Sequence, residues 1–412
     1  MRRHAFLLTA LLAGCGDSEA NPPAGVDVPD GPCGHALVVV SSDYQSSSVA
    51  IVGYDGEVLS SAIVSSASET TGLSVPLSKD TVVPTTRTSA GDVLLIDREQ
   101  AVLTVLDPVS ATVTAQIQLA TGFNGANPQD VLEVGPDKLY VSRYGKNQSP
   151  GAEPFDAGSD ILIVDTASEE VSGRIDLGAV MDGAAEGILP NPSRLVKHGD
   201  RAFLLLSAYS KNFSASDDGR VAVIDTMSDE VAAFAVVTNM RGCSGLAMAP
   251  SGDRLAVGCS GTFGGDLVPS LEDSGVVVFS VGANGDLDEE ARFSAEDLGG
   301  DPISFSLSFA SDDSLLLSTF GTKNNAGDQV RPDRLMSLDV ATGASLEIAR
   351  SEAKPFSIGE VRCEPSCGVC FAADAEQLGV LRVPLENAQP GDAELAPIDD
   401  GIGLPPRYLG GY

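Results

Sequence analysis

One phrase recurs along this chain and constrains its fold more than any other feature. Ser159-Asp160-Ile161-Leu162-Ile163-Val164-Asp165-Thr166 is a short apolar run ending in Asp-Thr. It returns as Gly219-Arg220-Val221-Ala222-Val223-Ile224-Asp225-Thr226. Its end can be followed through Asp55, Asp107, Asp165, Asp225, Ser280, Asp339 and Pro384, seven occurrences at intervals of 45 to 60 residues. Runs of this length bounded by turn residues read as β-strands. A period of this size marks one supersecondary unit stacked many times. The aspartate has a plain structural role, since its carboxylate accepts a backbone N–H two residues on and opens a turn. Ser280 and Pro384 in the same place fit turn chemistry and do not fit a required acid.

Each repeat also carries an earlier hairpin. Gly135-Pro136-Asp137 leads into Lys138-Leu139-Tyr140-Val141-Ser142, and His198-Gly199-Asp200, Ser251-Gly252-Asp253 and Ser311-Asp312-Asp313 open its counterparts. Upstream stand proline-led entries at Asn127-Pro128, Asn191-Pro192, Asp301-Pro302 and Lys354-Pro355. Each unit therefore has four strands, A to D. No long amphipathic helix interrupts them, and residues 66–81 read as an insertion. The expected fold is all-β, a seven-bladed β-propeller of four-stranded antiparallel blades over residues 36–412. Blade 1 begins at its second strand, Ala36 to Ser41. Its missing inner strand is expected from the C-terminal stretch Leu404-Pro405-Pro406-Arg407-Tyr408-Leu409-Gly410, which would close the ring and remove open sheet edges.

Lys138 to Ser142 together with Asp160 to Thr166 resemble the YVTN-type seven-bladed propellers of bacterial envelopes. The likeness spans roughly residues 36 to 411, is strongest between 127 and 240, and fades where Asp-Thr is lost. It implies a fold and not a function. In known propellers the B–C and D–A loops share one face.

The N-terminus reads as an address. Met1-Arg2-Arg3-His4 is basic, Ala5 to Leu12 is apolar but too short to span a bilayer, and Leu12-Ala13-Gly14-Cys15 follows. This resembles the bacterial lipoprotein signal. The resemblance implies removal of residues 1–14, lipidation of Cys15, and a place in the cell envelope, with Gly16 favouring the outer membrane. Residues 15–35, with Pro22, Pro23, Pro29 and Pro32 among them, read as a lipidated tether. The membrane would then be a partner through the N-terminal lipid.

Lys and Arg number 25 against 58 Asp and Glu, a net charge of −33. A field of that sign repels phosphate backbones and excludes nucleic acid as a partner class.

Setting Cys15 aside leaves six cysteines, an even number in an exported chain, which reads as disulfides. Cys243 and Cys259 are centred on the turn at Ser251-Gly252 and should face each other across a hairpin. Cys363 and Cys370 straddle the equivalent turn of blade 7, and Cys367 sits at its tip. Cys33 lies one blade along on the same end of the ring, so Cys33–Cys367 would clip the closure. The competing arrangement is a zinc site at Cys363, Cys367 and Cys370 with Cys33 as fourth ligand.

Function is sought in the elaborated B–C loops, 142–160, 207–220, 259–275 and 318–334. Three begin alike, with an aromatic residue and a Lys-Asn pair, in a chain with seven lysines. The candidate binding rim is Arg143, Tyr144, Lys146 and Asn147, then Tyr209, Lys211 and Asn212, then Phe320, Lys323 and Asn324. It would serve an unidentified protein or small-molecule ligand. No catalytic residue and no cofactor is assigned. Calcium is the ion that Asp217-Asp218 or the cluster Asp286, Asp288, Glu289 and Glu290 would suit, but neither matches a calcium loop and both read as solvated turns. The expectation is a non-catalytic binding or scaffold module. Its competitor is an enzyme of the metal-dependent lactonase or dehydrogenase kind at the channel mouth. That case is thin, with His35 and His198 the histidines left after signal removal, and only Asp130 and Glu360 as channel carboxylates. The absence of Trp excludes a tryptophan-floored quinone site.

Overall fold

The computed structural model describes residues 24–263, 270–323, 329–354 and 356–412. Seven four-stranded antiparallel sheets stand around a central axis. The innermost strands, A, are Thr81–Val82, Pro128–Gly135, Pro192–His198, Cys243–Met248, Ile303–Ser311 and Ile358–Glu364 for blades 2 to 7, and Pro406–Gly411 for blade 1. The last of these pairs with Leu37–Ser42, with Val39 opposite Leu409, so the C-terminus closes the ring beside the N-terminal strand. A two-stranded accessory sheet joins Ile188–Leu189 to Tyr209–Ser210.

The core is divided into seven clusters, one in each seam between neighbouring blades. Strand alternation explains this, because successive side chains point to opposite faces of a blade. On blade 3, Leu139 and Val141 face blade 2, whereas Tyr140 faces blade 4. No face of a blade is left to solvent, so one blade cannot bury its apolar residues alone.

The repeated aspartates are turn formers. Asp165 Oδ1 accepts the N–H groups of Ala167 and Ser168 at 2.9 and 3.0 Å, and Asp225 and Asp339 repeat the pattern. Four residues after each, the chain takes a left-handed conformation to rejoin the strand. Gly343 does so at φ 74° without steric cost, whereas Glu169 and Asp229 accept it at φ 58°.

The serine that opens the elaborated B–C loops is a fastener. Ser142 Oγ donates to Ser193 O at 2.6 Å, Ser207 Oγ to Cys243 O at 2.7 Å, and Ser318 Oγ to Gly359 O at 3.3 Å. Each bond ties strand B of one blade to the inner strand of the next.

Three disulfides join Cys33 to Cys367, Cys243 to Cys259 and Cys363 to Cys370. The last two pairs sit directly opposite one another in their strand ladders. With all six sulfurs bonded, the alternative zinc site has no thiolates to use. Residues 24–35, expected within a flexible tether, lie against the ring instead. Val26 N–H donates to Pro108 O at 2.7 Å, and Val26 joins the cluster between blades 1 and 2. Cys15 lies outside the described residues.

Candidate functional site

The axial channel holds the most elaborate side-chain chemistry of the molecule. Arg194 from blade 4 and Glu360 from blade 7 meet across it, Nη2 to Oε1 at 2.6 Å, with side-chain exposures of 18% and 9%. This pair separates two cavities that both touch it, of about 420 Å³ toward the B–C loops and about 390 Å³ toward the A–B turns.

Both partners are held from behind. Glu360 Oε2 accepts the Leu409 N–H at 3.1 Å. Arg194 Nη1 reaches Thr85 Oγ1 at 3.3 Å. Asp130, fully buried, accepts the N–H groups of Thr85 and Leu195, each at 2.8 Å. Burial pushes the Asp130 carboxyl up, and the Arg194 guanidinium pulls it back. The two carboxylates that a calcium-assisted reaction would have needed are thus engaged by guanidinium and amide groups.

The B–C cavity is walled by aromatic rings. Phe305 meets Phe320 edge-on at 4.9 Å, and Phe320 meets Phe356 at 5.1 Å in the same way. Tyr44 and Tyr408 complete the wall from the other side. The Arg407 guanidinium lies 5.4 Å from the Tyr44 ring centre, and Arg98 lies 5.2 Å from that of Tyr408. Phe305 is 48% exposed, an unusual position for a large aromatic side chain on an inner strand. Aromatics make up 5% of the chain, so this arc is a local concentration.

The expected rim resolves into three groups. Tyr144 and Tyr209 come together through Phe213, at 6.1 and 5.6 Å, on the loops of blades 3 and 4. Lys146 and Lys211 are exposed beside them. Asn147 and Asn212 shape their own loops, accepting the N–H groups of Ser149 and Ser214 at 3.0 and 3.3 Å. Phe320 is not on a rim but buried in the cavity wall. Lys323 falls in the short strand Thr322–Lys323, and Asn324 lies outside the described residues.

Arg143 is a correction. It is fully buried, and its Nε and Nη2 each meet an oxygen of Asp160 at 2.9 Å. It also donates to Leu119 O at 3.2 Å and Phe155 O at 2.7 Å, and Arg174 shares Asp160 at 2.9 Å. Register shifts beside it, between Pro128 and Asp130 and between Gly158 and Asp160, accompany this inward placement in the seam with blade 2.

The acidic clusters are engaged by protein groups. Asp217 accepts the Ala185 N–H at 2.7 Å, Glu290 takes Arg254 at 2.9 Å, and Glu289 takes Arg292 at 2.6 Å. Among the described residues no three His, Cys, Asp or Glu side chains are grouped as metal ligands.

Sequence reasoning passed over Phe305, Phe356, Tyr44, Tyr408 and Arg407. A signal was present, because all but Tyr44 fall within three residues of a proline-led inner-strand entry.

No family model and no curated protein matches the sequence. Solved structures match the fold. Hydrazine synthase of Kuenenia stuttgartiensis aligns over 91% of this chain and 99% of that one, at 16% identity and a TM-score of 0.56. A hypothetical selenium-binding protein of Sulfolobus tokodaii aligns over 91% and 92%, at 10% identity and a TM-score of 0.57. A putative 6-phosphogluconolactonase of Bacteroides fragilis aligns over 91% and 96%, at 12% identity and a TM-score of 0.52. At these identities the likeness concerns the fold alone.

Proposed function

We propose that this propeller is a non-catalytic binding module of the bacterial envelope, a YVTN-type ring tethered by lipid on Cys15. Its ligand is a small molecule with an apolar or aromatic body and a polar end. The observation that carries this reading is the aromatic-walled cavity of about 420 Å³ with Arg194, Glu360 and Arg407 at its polar points. Ligand sites are concave, largely apolar, and hold a few convergent polar groups that fix orientation. Aromatic walls offer stacking area at low entropic cost, and the Arg194–Glu360 floor offers both a donor and an acceptor. His35 is spent on Val28 O and on stacking against Tyr412 at 5.3 Å, and His198 packs over Gly252 at an A–B turn. The basic start, apolar run and Leu12-Ala13-Gly14-Cys15 support the anchor.

The test is a thermal-shift screen of small amphiphilic compounds, followed by calorimetric titration of hits against the native chain and the Phe305→Ala variant. Hits weakened at least tenfold by F305A support the reading. Hits indifferent to F305A, or no hit at all, count against it.

A further inference from the structure

The second cavity has a different character from the aromatic one and is not explained by it. Its charged lining is Arg87, Arg194, Lys197 and Arg362 against Glu360 and Glu364, a local excess of two positive charges in a chain of net charge −33. Glu364 serves two arginines at once, Arg362 at 2.6 Å and Arg87 at 3.3 Å. Arg87 otherwise donates to the Cys33 carbonyl, and Lys197 reaches the Val134 carbonyl at 3.4 Å. Among the described residues no carboxylate pairs with Lys197. Thr86 Oγ1, in the same wall, is buried without a hydrogen-bond partner. Arg87 and Lys197 are both exposed, so their donors can be reached from the A–B end.

We propose that this A–B chamber is an oxyanion site, for phosphate or for a small di- or tricarboxylate. A guanidinium offers paired donors that match the oxygens of either group. A cleft with low-dielectric walls and an excess of one sign focuses the field locally, even when the distant surface has the opposite sign. About 390 Å³ is ample for a phosphate and accommodates a tricarboxylate. Arg362 also donates to Thr85 O at 2.9 Å and so braces blade 7 against blade 2. Lys197 carries no such load, and Glu364 keeps Arg362 when Arg87 is removed, so the exposed Arg87 and Lys197 are the pair to test.

The experiment is calorimetric titration of the full-length chain with inorganic phosphate and, in a separate arm, with citrate, at low and at moderate sodium chloride. Saturable one-to-one binding of either anion is expected, weakening as salt rises. R87Q and K197Q should each weaken it about tenfold, and R87Q/K197Q should abolish it with the melting temperature held within a few degrees. F356A, whose ring lines the aromatic cavity and not this chamber, should leave anion binding unchanged, which separates failure here from failure of the aromatic site. Binding of phosphate alone, or of citrate alone, identifies which oxyanion the chamber takes. Absence of both, or full binding by a folded R87Q/K197Q variant, overturns the proposal.

Discussion

Arg194 and Glu360, from blades on opposite sides of the ring, close the axial channel with one 2.6 Å ion pair and divide it into an aromatic and a basic half. Removing one partner strands the other. R194M leaves Glu360 unpaired and Asp130 as a buried charge without its cation, at a cost of about 3–5 kcal/mol. R194M/E360M should recover part of this loss in a urea-unfolding cycle.

The same variant should acquire a pH dependence. Burial already raises the Asp130 carboxyl, and Arg194 opposes that rise. Without Arg194 the folded-state value climbs further above the unfolded one. Stability is then fully present below the ordinary carboxylate range and is lost as pH rises through the raised value. The deficit of R194M should shrink in acid, measured as melting temperature against pH relative to the native chain.

Arg143 and Asp160 give a second test of burial. Both side chains are fully buried and joined by two 2.9 Å bonds. R143M should destabilise the fold by about 3–5 kcal/mol. It should leave binding in the channel unchanged in those molecules that remain folded. A loss of ligand affinity with stability intact would return Arg143 to the binding surface.

The closing disulfide should outweigh the hairpin ones. Cys33 and Cys367 are 334 residues apart, whereas Cys243 and Cys259 are 16 apart. By the loop-length dependence of chain entropy, C33S/C367S should cost about 2–3 kcal/mol more than C243S/C259S. Guanidinium unfolding of the two double variants checks this directly.

Six of the seven tyrosines, Tyr54, Tyr140, Tyr144, Tyr209, Tyr408 and Tyr412, are pushed up chiefly by burial, Tyr412 to about 12. The fold therefore favours the neutral phenols. That stabilisation is fully present below their ordinary value of about 10 and is lost as pH rises through the raised values. With no tryptophan present, an ultraviolet titration should show most phenols ionising well above that value, together with loss of the fold.

The strands and the ring were legible because their determinants are local. The Val-Leu-Ile runs, the Asp-led turns and Pro405-Pro406 each act within a few residues of themselves. The channel was legible only in part: Asp130 and Glu360 read as channel carboxylates, but Arg194 and Glu360 meet only when blades 4 and 7 are placed around one axis. Arg143 misled for a related reason. Beside Tyr144 and near Lys146 it reads as part of a polar rim, but register shifts in two adjoining strand pairs accompany its turn into the seam, where Asp160 awaits it. Ser142, Ser207 and Ser318 stand at the starts of these loops, and the partner of each, a carbonyl one blade away, is visible only in the folded ring.

The most direct measurement is a crystal structure of the chain with a ligand recovered from the thermal-shift screen. The ligand is expected between Phe305, Phe356 and Tyr44, with its polar end on Arg194 or Glu360. A ligand seated instead on the outer loops beside Lys146 and Lys211, with the aromatic cavity empty, would contradict it.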